Sequence, residues 1–315
     1  MNILVTGATG FLGTALCNVL QKRGHCVVRL GSKDCDLTKQ GSLDRFNDRA
    51  YDQIFHLAAW TQAGDFCLSH PGEQWVINQQ INTNVLAWWH KSQGQAKLIA
   101  MGTSCAYSPD LPPSEEHYLS GLPINSLFTY AMSKRMLYVG LLALAKQFGM
   151  TYLCLVPSTL YGAGYHLDGR QMHFIFDLIR KILSAKLHGT PVILWGDGHQ
   201  RRELVFLSDF VELAVDLAAN FDNDLVNVGA GDDYSIRDFA RFICEIVDYD
   251  FERIQFDLSR YVGAKSKCLI TEKLRRLVPG HRPTPLKDGL RQTIDWFWAN
   301  REQLLPAPKP QRLSA

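Results

Sequence analysis

The first twenty-two residues constrain this chain more than any other segment. Ile3-Leu4-Val5 reads as a strand and runs straight into Gly7-Ala8-Thr9-Gly10-Phe11-Leu12-Gly13, and helix-spaced apolar positions follow to Lys22. Gly7 permits a tight turn, Gly10 lets the backbone approach a pyrophosphate, and Gly13 lets helix and strand pack closely. The amides of the turn and of the helix start, from Thr9 through Phe11 and Leu12, then face the anion with free N–H groups and a partial positive charge. A GxxGxxG alone is a weak signal. Between an N-terminal strand and an amphipathic helix it specifies a dinucleotide-binding α/β unit.

The chain continues in the same alternation. Cys26–Leu30, Ile54–Leu57, Leu98–Met101 and Tyr152–Val156 read as buried parallel strands, and Trp75–Ser92 and Met132–Phe148 as helices between them. Right-handed crossovers then make an α/β fold, a Rossmann-type doubly wound parallel sheet. Past Tyr161 the pattern changes to a helix (His173–Ala185), a strand (Val192–Trp195), a helix after the N-cap Ser208, a strand (Leu225–Val228), and a helix opening at Ser235 with Asp238 three residues on. With 315 residues, a second and smaller α/β lobe is expected. The expected division is a dinucleotide-binding domain over 1–160, a substrate-binding lobe over 161–305 interleaved with the end of the sheet, and a loose tail over 306–315.

Composition excludes several classes. Net charge is +2 with scattered basic residues, which gives no footprint for nucleic acid. No apolar stretch reaches the ~20 residues that span a bilayer, and the N-terminus lacks a signal-peptide pattern, so a cytoplasmic protein is expected. The eight cysteines show neither CxxC nor Cys/His ligand spacing, so no disulfide framework and no metal site is expected. An acid at the end of the second strand favours NAD; here Arg29 precedes Gly31-Ser32-Lys33, and small or cationic residues suit the 2′-phosphate of NADP, with NAD the alternative. Asp36 is placed to contact adenine, or is simply an exposed loop residue.

Further motifs fall in a recognisable order: His56-Leu57-Ala58-Ala59 after a strand, Tyr130-Ala-Met-Ser-Lys134 opening a helix, and Leu160-Tyr161-Gly162 after the strand that ends near Pro157. With the glycine turn they make the chain resemble the extended short-chain dehydrogenase/reductases over about 300 residues. Within that superfamily it is similar to the GDP-L-fucose synthases, which epimerise and reduce GDP-4-keto-6-deoxymannose. The narrower likeness rests on Gly102-Thr103-Ser104-Cys105-Ala106-Tyr107, His173, Trp195-Gly-Asp-Gly with Arg202-Glu203-Leu204, and Asn227-Val228-Gly229-Ala230-Gly231. The resemblance implies NADP contacts at Leu57, Ala58, Ala59 and Pro157 besides the glycine turn, Tyr130 and Lys134.

Tyr130 and Lys134, four apart on a helix, share a face. A phenol with its usual pKa of about 10 needs help to exchange a proton near neutrality, and a nearby ammonium supplies it. Tyr130 is thus the expected proton donor to a ketone and Lys134 its partner, and the resemblance makes Thr103 (or Ser104) the hydroxyl that hydrogen-bonds the reacting oxygen. Taken as residues, Cys105 reads as a buried apolar side chain and His173 as a surface histidine. The resemblance makes them the pair that removes and returns protons beside the 4-keto group. On a strand Cys105 shares a face with Thr103, and His173 titrates near physiological pH. Dehydratase relatives carry Asp-Glu where Ser104-Cys105 stands here.

For the sugar nucleotide, Arg202 and Lys181 (or Arg180) are candidates to neutralise a diphosphate and Trp195 to stack. Gly263…Lys267 matches a further nucleotide-binding segment of the family, with Val262 where an acid is expected. Thr159 replaces an Asn, and position 181 is Lys rather than Arg. Two other readings stay open: a nucleotide-sugar epimerase with NAD or a plain 4-ketoreductase, and a non-catalytic dinucleotide sensor. The Trp88-Trp89 helix is either half of a homodimer interface or an internally buried pair.

Overall fold

The computed structural model describes residues 1–260 and 265–307. Val262, Gly263 and residues 308–315 of the tail lie outside the described residues.

Six strands build the main sheet: β1 (Asn2–Thr6), β2 (Cys26–Leu30), β3 (Gln53–His56), β4 (Lys97–Met101), β5 (Tyr152–Pro157) and, far along the chain, β9 (Asp224–Val228). All pairings are parallel, in the order β2-β1-β3-β4-β5-β9. Strand residues alternate between two cores because successive side chains point to opposite faces. Leu4, Ile54, Leu98 and Cys154 pack with Val85, Trp89, Leu137 and Leu141 from helices α3 (Pro71–Ser92) and α4 (Phe128–Phe148). Ile3, Val5, Phe55, Ile99 and Leu153 pack on the other face with Leu16, Leu20, Phe210 and Leu217 from α1 (Phe11–Lys22) and α6 (Leu207–Asn220). The short α2 (Phe66–Ser69) precedes α3. The crossovers reverse direction between β1 and β3, so the carboxyl ends of those strands form the crevice where such sheets bind ligands.

A second group of elements covers one end of this sheet. It holds β6 (Thr159–Tyr161), α5 (Phe174–His188), β7 (Val192–Trp195), β8 (Arg201–Phe206), β10 (Asp233–Ser235), α7 (Ile236–Val247), β11 (Ile254–Asp257), β12 (Ser266–Lys267), α8 (Glu272–Leu277), α9 (Leu286–Ala299) and α10 (Arg301–Leu304). Phe176, Ile179, Phe206, Phe239, Ile243, Ile294 and Phe297 form its core. Strand β8 is central: it pairs with β6, β10 and β12. At Ser235 the capping box closes in both directions, with the hydroxyl accepting from the Asp238 N–H at 3.1 Å and the Asp238 carboxylate from the Ser235 N–H at 3.0 Å.

Three sequence expectations need correction. Ser208 does not cap α6: β8 runs directly into the helix with Phe206 at the N-cap and no side-chain bond there. His173 precedes α5 as its N-cap, in extended backbone, rather than lying within the helix. Cys105 is not on a strand, since β4 ends at Met101 and Ser104–Ala106 form a 3-10 turn. Of the two readings left open for Trp88 and Trp89, the structure shows the internally buried pair, 5% and 0% exposed.

Candidate active site

Gly7 sits at φ +68°, and a Cβ there would lie 2.8 Å from the Ala58 nitrogen, so only glycine passes β3 this closely. A Cβ on Gly13 would stand 2.1 Å from the Gly7 carbonyl oxygen. Helix α1 begins at Phe11 with Gly10 as N-cap, and no side chain caps its first amides. Thr9 reaches the start of the β2 loop, where a Cβ on Gly31 would meet its side chain at 2.8 Å. Leu57, Ala58 and Ala59 follow β3 half-buried, and Pro157 ends β5. This narrow, glycine-floored groove with uncapped helix amides fits a dinucleotide diphosphate.

At the adenosine end, Arg29, Ser32 and Lys33 are exposed. The sequence reading passed over Asp34, whose carboxylate turns back to accept the Gly31 N–H at 2.8 Å. Asp36 is occupied locally: it accepts from the Thr38 backbone and hydroxyl at 3.1 and 2.6 Å and pairs with Lys39 at 3.5 Å.

Helix α4 presents Tyr130, half-buried, and Lys134, 5% exposed. Thr103 caps the Cys105 turn, its hydroxyl accepting from the Cys105 N–H at 3.3 Å, and it also hydrogen-bonds the Tyr130 phenol. The expected lowering of Tyr130 does not arise from the protein alone. Burial and, after it, the neighbouring Cys105 push the phenol up, against the Thr103 bond, which keeps it in its proton-donating form. Burial draws the Lys134 ammonium down to about 8.

Cys105, half-buried, meets residues from the second group of elements. The Lys267 ammonium donates to its sulfur at 3.5 Å. Lys267 pairs in register with Arg202 across β12 and β8, and Arg202 is itself electrostatically coupled to Cys105. His173 is pushed down to about 4, first by burial, then by Lys267 and Arg202. The expected titration near neutrality is therefore overturned for the free protein, which holds this imidazole neutral with its buried Nδ1 unpartnered. Thr103, Tyr130, Cys105, His173 and Arg202 thus form one electrostatically linked cluster, with Ser104 in the same turn as Cys105.

The remaining substrate candidates are engaged elsewhere. Lys181 pairs with Asp177 at 3.0 Å and donates to the Ile193 carbonyl at 3.2 Å, and Arg180 reaches the same carboxylate at 2.5 Å. Trp195 is 52% exposed at the end of β7, with the Arg260 guanidinium 5.4 Å from its ring centre.

Three structural roles escaped the sequence reading. Glu203, 1% exposed, accepts the Gly231 and Leu269 N–H groups at 2.7 and 3.0 Å and so ties β8 to the segment carrying Lys267. Arg135 fixes the loop after Cys105, and Tyr107 donates to Asn227 at 2.5 Å. Among the described residues no group of side chains is arranged to hold a metal ion, and no helix is long and apolar enough to cross a membrane.

The profile of the NAD dependent epimerase/dehydratase family matches residues 3–229. A GDP-L-fucose synthase of Arabidopsis thaliana is 29% identical over 95% of this chain and 93% of its own length. One from Escherichia coli is 27% identical over 96% and 98%. The crystal structure of a GDP-L-fucose synthetase from Naegleria fowleri bound to NADP superposes with a TM-score of 0.81 at 26% identity, covering 98% of this chain and 96% of that one.

Proposed function

This chain belongs to the NAD dependent epimerase/dehydratase family, and we propose that it is an NADP-dependent epimerase–reductase acting on a 4-keto-6-deoxy nucleotide sugar, GDP-linked as for the synthases it is similar to. The observation that carries this reading is the meeting of Cys105, Lys267 and Arg202 beside the Thr103–Tyr130 pair. A plain dehydrogenase needs a tyrosine, a lysine and a hydroxyl. A thiol held between cations and a neutral imidazole add a base and its complement.

In this reading Cys105, as thiolate, takes a proton from the carbon beside the sugar carbonyl and becomes a thiol. The electron pair moves onto the carbonyl oxygen, where Thr103 and Tyr130 hydrogen-bond the enolate. His173 returns a proton to the carbon from the other side. It can do so once protonated; burial first, then Lys267 and Arg202, hold it neutral in the free protein, and a diphosphate bound at Arg202 favours the protonated form by offsetting that charge. The bound dinucleotide supplies the hydride for the 4-ketone. Tyr130 donates the proton that completes the alcohol, and Lys134 restores charge balance beside it.

NADP rather than NAD is favoured by exposed Arg29, Ser32 and Lys33 and by the engagement of Asp34 with Gly31. Arg202 serves the diphosphate. The reading places the chain in the reducing cytoplasm, in keeping with eight unpaired cysteines. It also makes a homodimer through the α3–α4 face, where Val76, Met136, Val139 and Leu142 are exposed.

A panel of GDP-, CDP-, UDP- and dTDP-linked 4-keto-6-deoxy sugars tests it. NADPH is expected to be oxidised fastest with the GDP sugar and more readily than NADH. No oxidation with any member of the panel refutes the reading.

A further inference from the structure

Strand β12 is only two residues long, Ser266–Lys267, yet its position is fixed from both sides. It pairs in parallel with Arg201 and Arg202, and two residues beyond it the Leu269 N–H is held by the buried Glu203 carboxylate. A lysine side chain on so short a strand is otherwise free to seek water and keep its rotamer freedom. Here its ammonium turns inward and donates to the Cys105 sulfur at 3.5 Å. Among the described residues no carboxylate pairs with it. An ammonium that donates to a sulfur, with a guanidinium beside it on the next strand, restrains where that sulfur sits and offers a counter-charge next to it.

We propose that Lys267 is the positioning residue for Cys105: its ammonium holds the sulfur in place and stands beside it as counter-charge while it removes the sugar proton. This rests on the epimerase reading above and deepens it. The charged and titratable groups coupled to Cys105 are Lys267, Arg202, Tyr130 and Cys67. Of the two cations, Lys267 is the one hydrogen-bonded to the sulfur. The parallel register keeps Arg202 and Lys267 side by side.

The test is alkylation of Cys105 by iodoacetamide at a single mildly alkaline pH, on the full chain with NADPH present, read peptide by peptide by mass spectrometry. Exposed Cys26 serves as internal reference. Lys267→Met is expected to slow Cys105 alkylation about tenfold while Cys26 reacts at the unmodified rate, and Lys267→Arg is expected to recover most of the loss. Should the Met variant fail to fold, Lys267→Gln carries the same comparison. Unchanged Cys105 alkylation with a raised KM for the sugar nucleotide assigns the lysine to substrate anion binding alone and overturns the proposal. So does a loss of reactivity that Arg does not restore. NADPH oxidation by the unmodified protein reads the epimerase–reductase assignment separately, so either can fail alone.

Discussion

Arg135, the residue after Lys134 on α4, donates through Nε to the carbonyl of Ala106, the residue after Cys105, at 3.0 Å, and again through Nη2 at 2.5 Å. One buried guanidinium thereby joins the helix of the proton donor to the turn of the thiol. It also holds the Gly121 and Ser120 carbonyls at 2.7 and 2.8 Å. Arg135→Met leaves three carbonyl oxygens without their donor, and an unmet buried acceptor costs about 1–3 kcal/mol. The expected outcome is a destabilisation of about 3 kcal/mol, read from the urea midpoint. Epimerisation should suffer more than hydride transfer, because the Cys105 turn loses its anchor while Tyr130 keeps its helix.

Tyr130→Phe removes the only proton donor proposed for the alcohol and leaves the glycine turn intact. Turnover should fall by at least about a hundredfold, with NADPH affinity kept within a factor of about three. Steady-state rates and a fluorescence titration check both halves. Unchanged turnover removes Tyr130 from the mechanism, and lost NADPH binding makes its role structural.

His56 gives the fold a pH dependence. It is 1% exposed, bonded to Thr6 Oγ1 at 2.9 Å and Asn82 Oδ1 at 3.1 Å, and pushed down to about 4, first by burial and then by Lys134. Between about 6.5 and about 4 the unfolded chain takes up a proton that the folded chain refuses, so stability from this residue is intact above that window and falls as pH drops through it. The loss reaches at most about 3 kcal/mol. Urea midpoints at pH 7 and pH 5 should differ more for the unmodified protein than for His56→Gln. Equal differences contradict the assignment.

The apolar strip on α3 and α4 predicts association. Gly140 sits so close to Leu86 that a Cβ would stand 2.5 Å from its Cδ1, which lets the two helices meet tightly and leaves Met136 and Val139 facing outward, 41% and 38% exposed. Sedimentation should give twice the 35.6 kDa chain mass, and Met136→Glu with Val139→Glu should give the monomer. A monomeric unmodified protein sinks this prediction.

Much of the sheet was legible because period and punctuation agree. Phe11–Lys22 and Val192–Trp195 stand where the sequence puts them, and Ser235 with Asp238 closes the capping box that its spacing announces. What escaped did so for physical reasons. Arg201-Arg202-Glu203 carries no strand pattern of its own, yet it opens a central strand, because Glu203 finds two backbone N–H groups no local pattern reveals. Helix α9 escaped although its Leu290, Ile294 and Phe297 carry helical spacing, because they pack on a lobe whose core is assembled from distant segments. Within the site, Tyr130 and Lys134 are helical neighbours and so could be read together. The approach of Lys267 to Cys105 crosses 162 positions and depends on β12 pairing with β8. The titration of His173 was misjudged because its burial and its two cationic neighbours come from the fold.

The central claim is that one pocket both inverts carbon centres and reduces a ketone. It is tested most directly by incubating the protein with GDP-4-keto-6-deoxymannose and NADPH in D₂O and reading the product by NMR. Deuterium at C3 and C5, with C4 reduced, is the predicted result, and Cys105→Ala should abolish the solvent label. A C4-reduced product carrying solvent deuterium at neither carbon contradicts the account and leaves a simple ketoreductase.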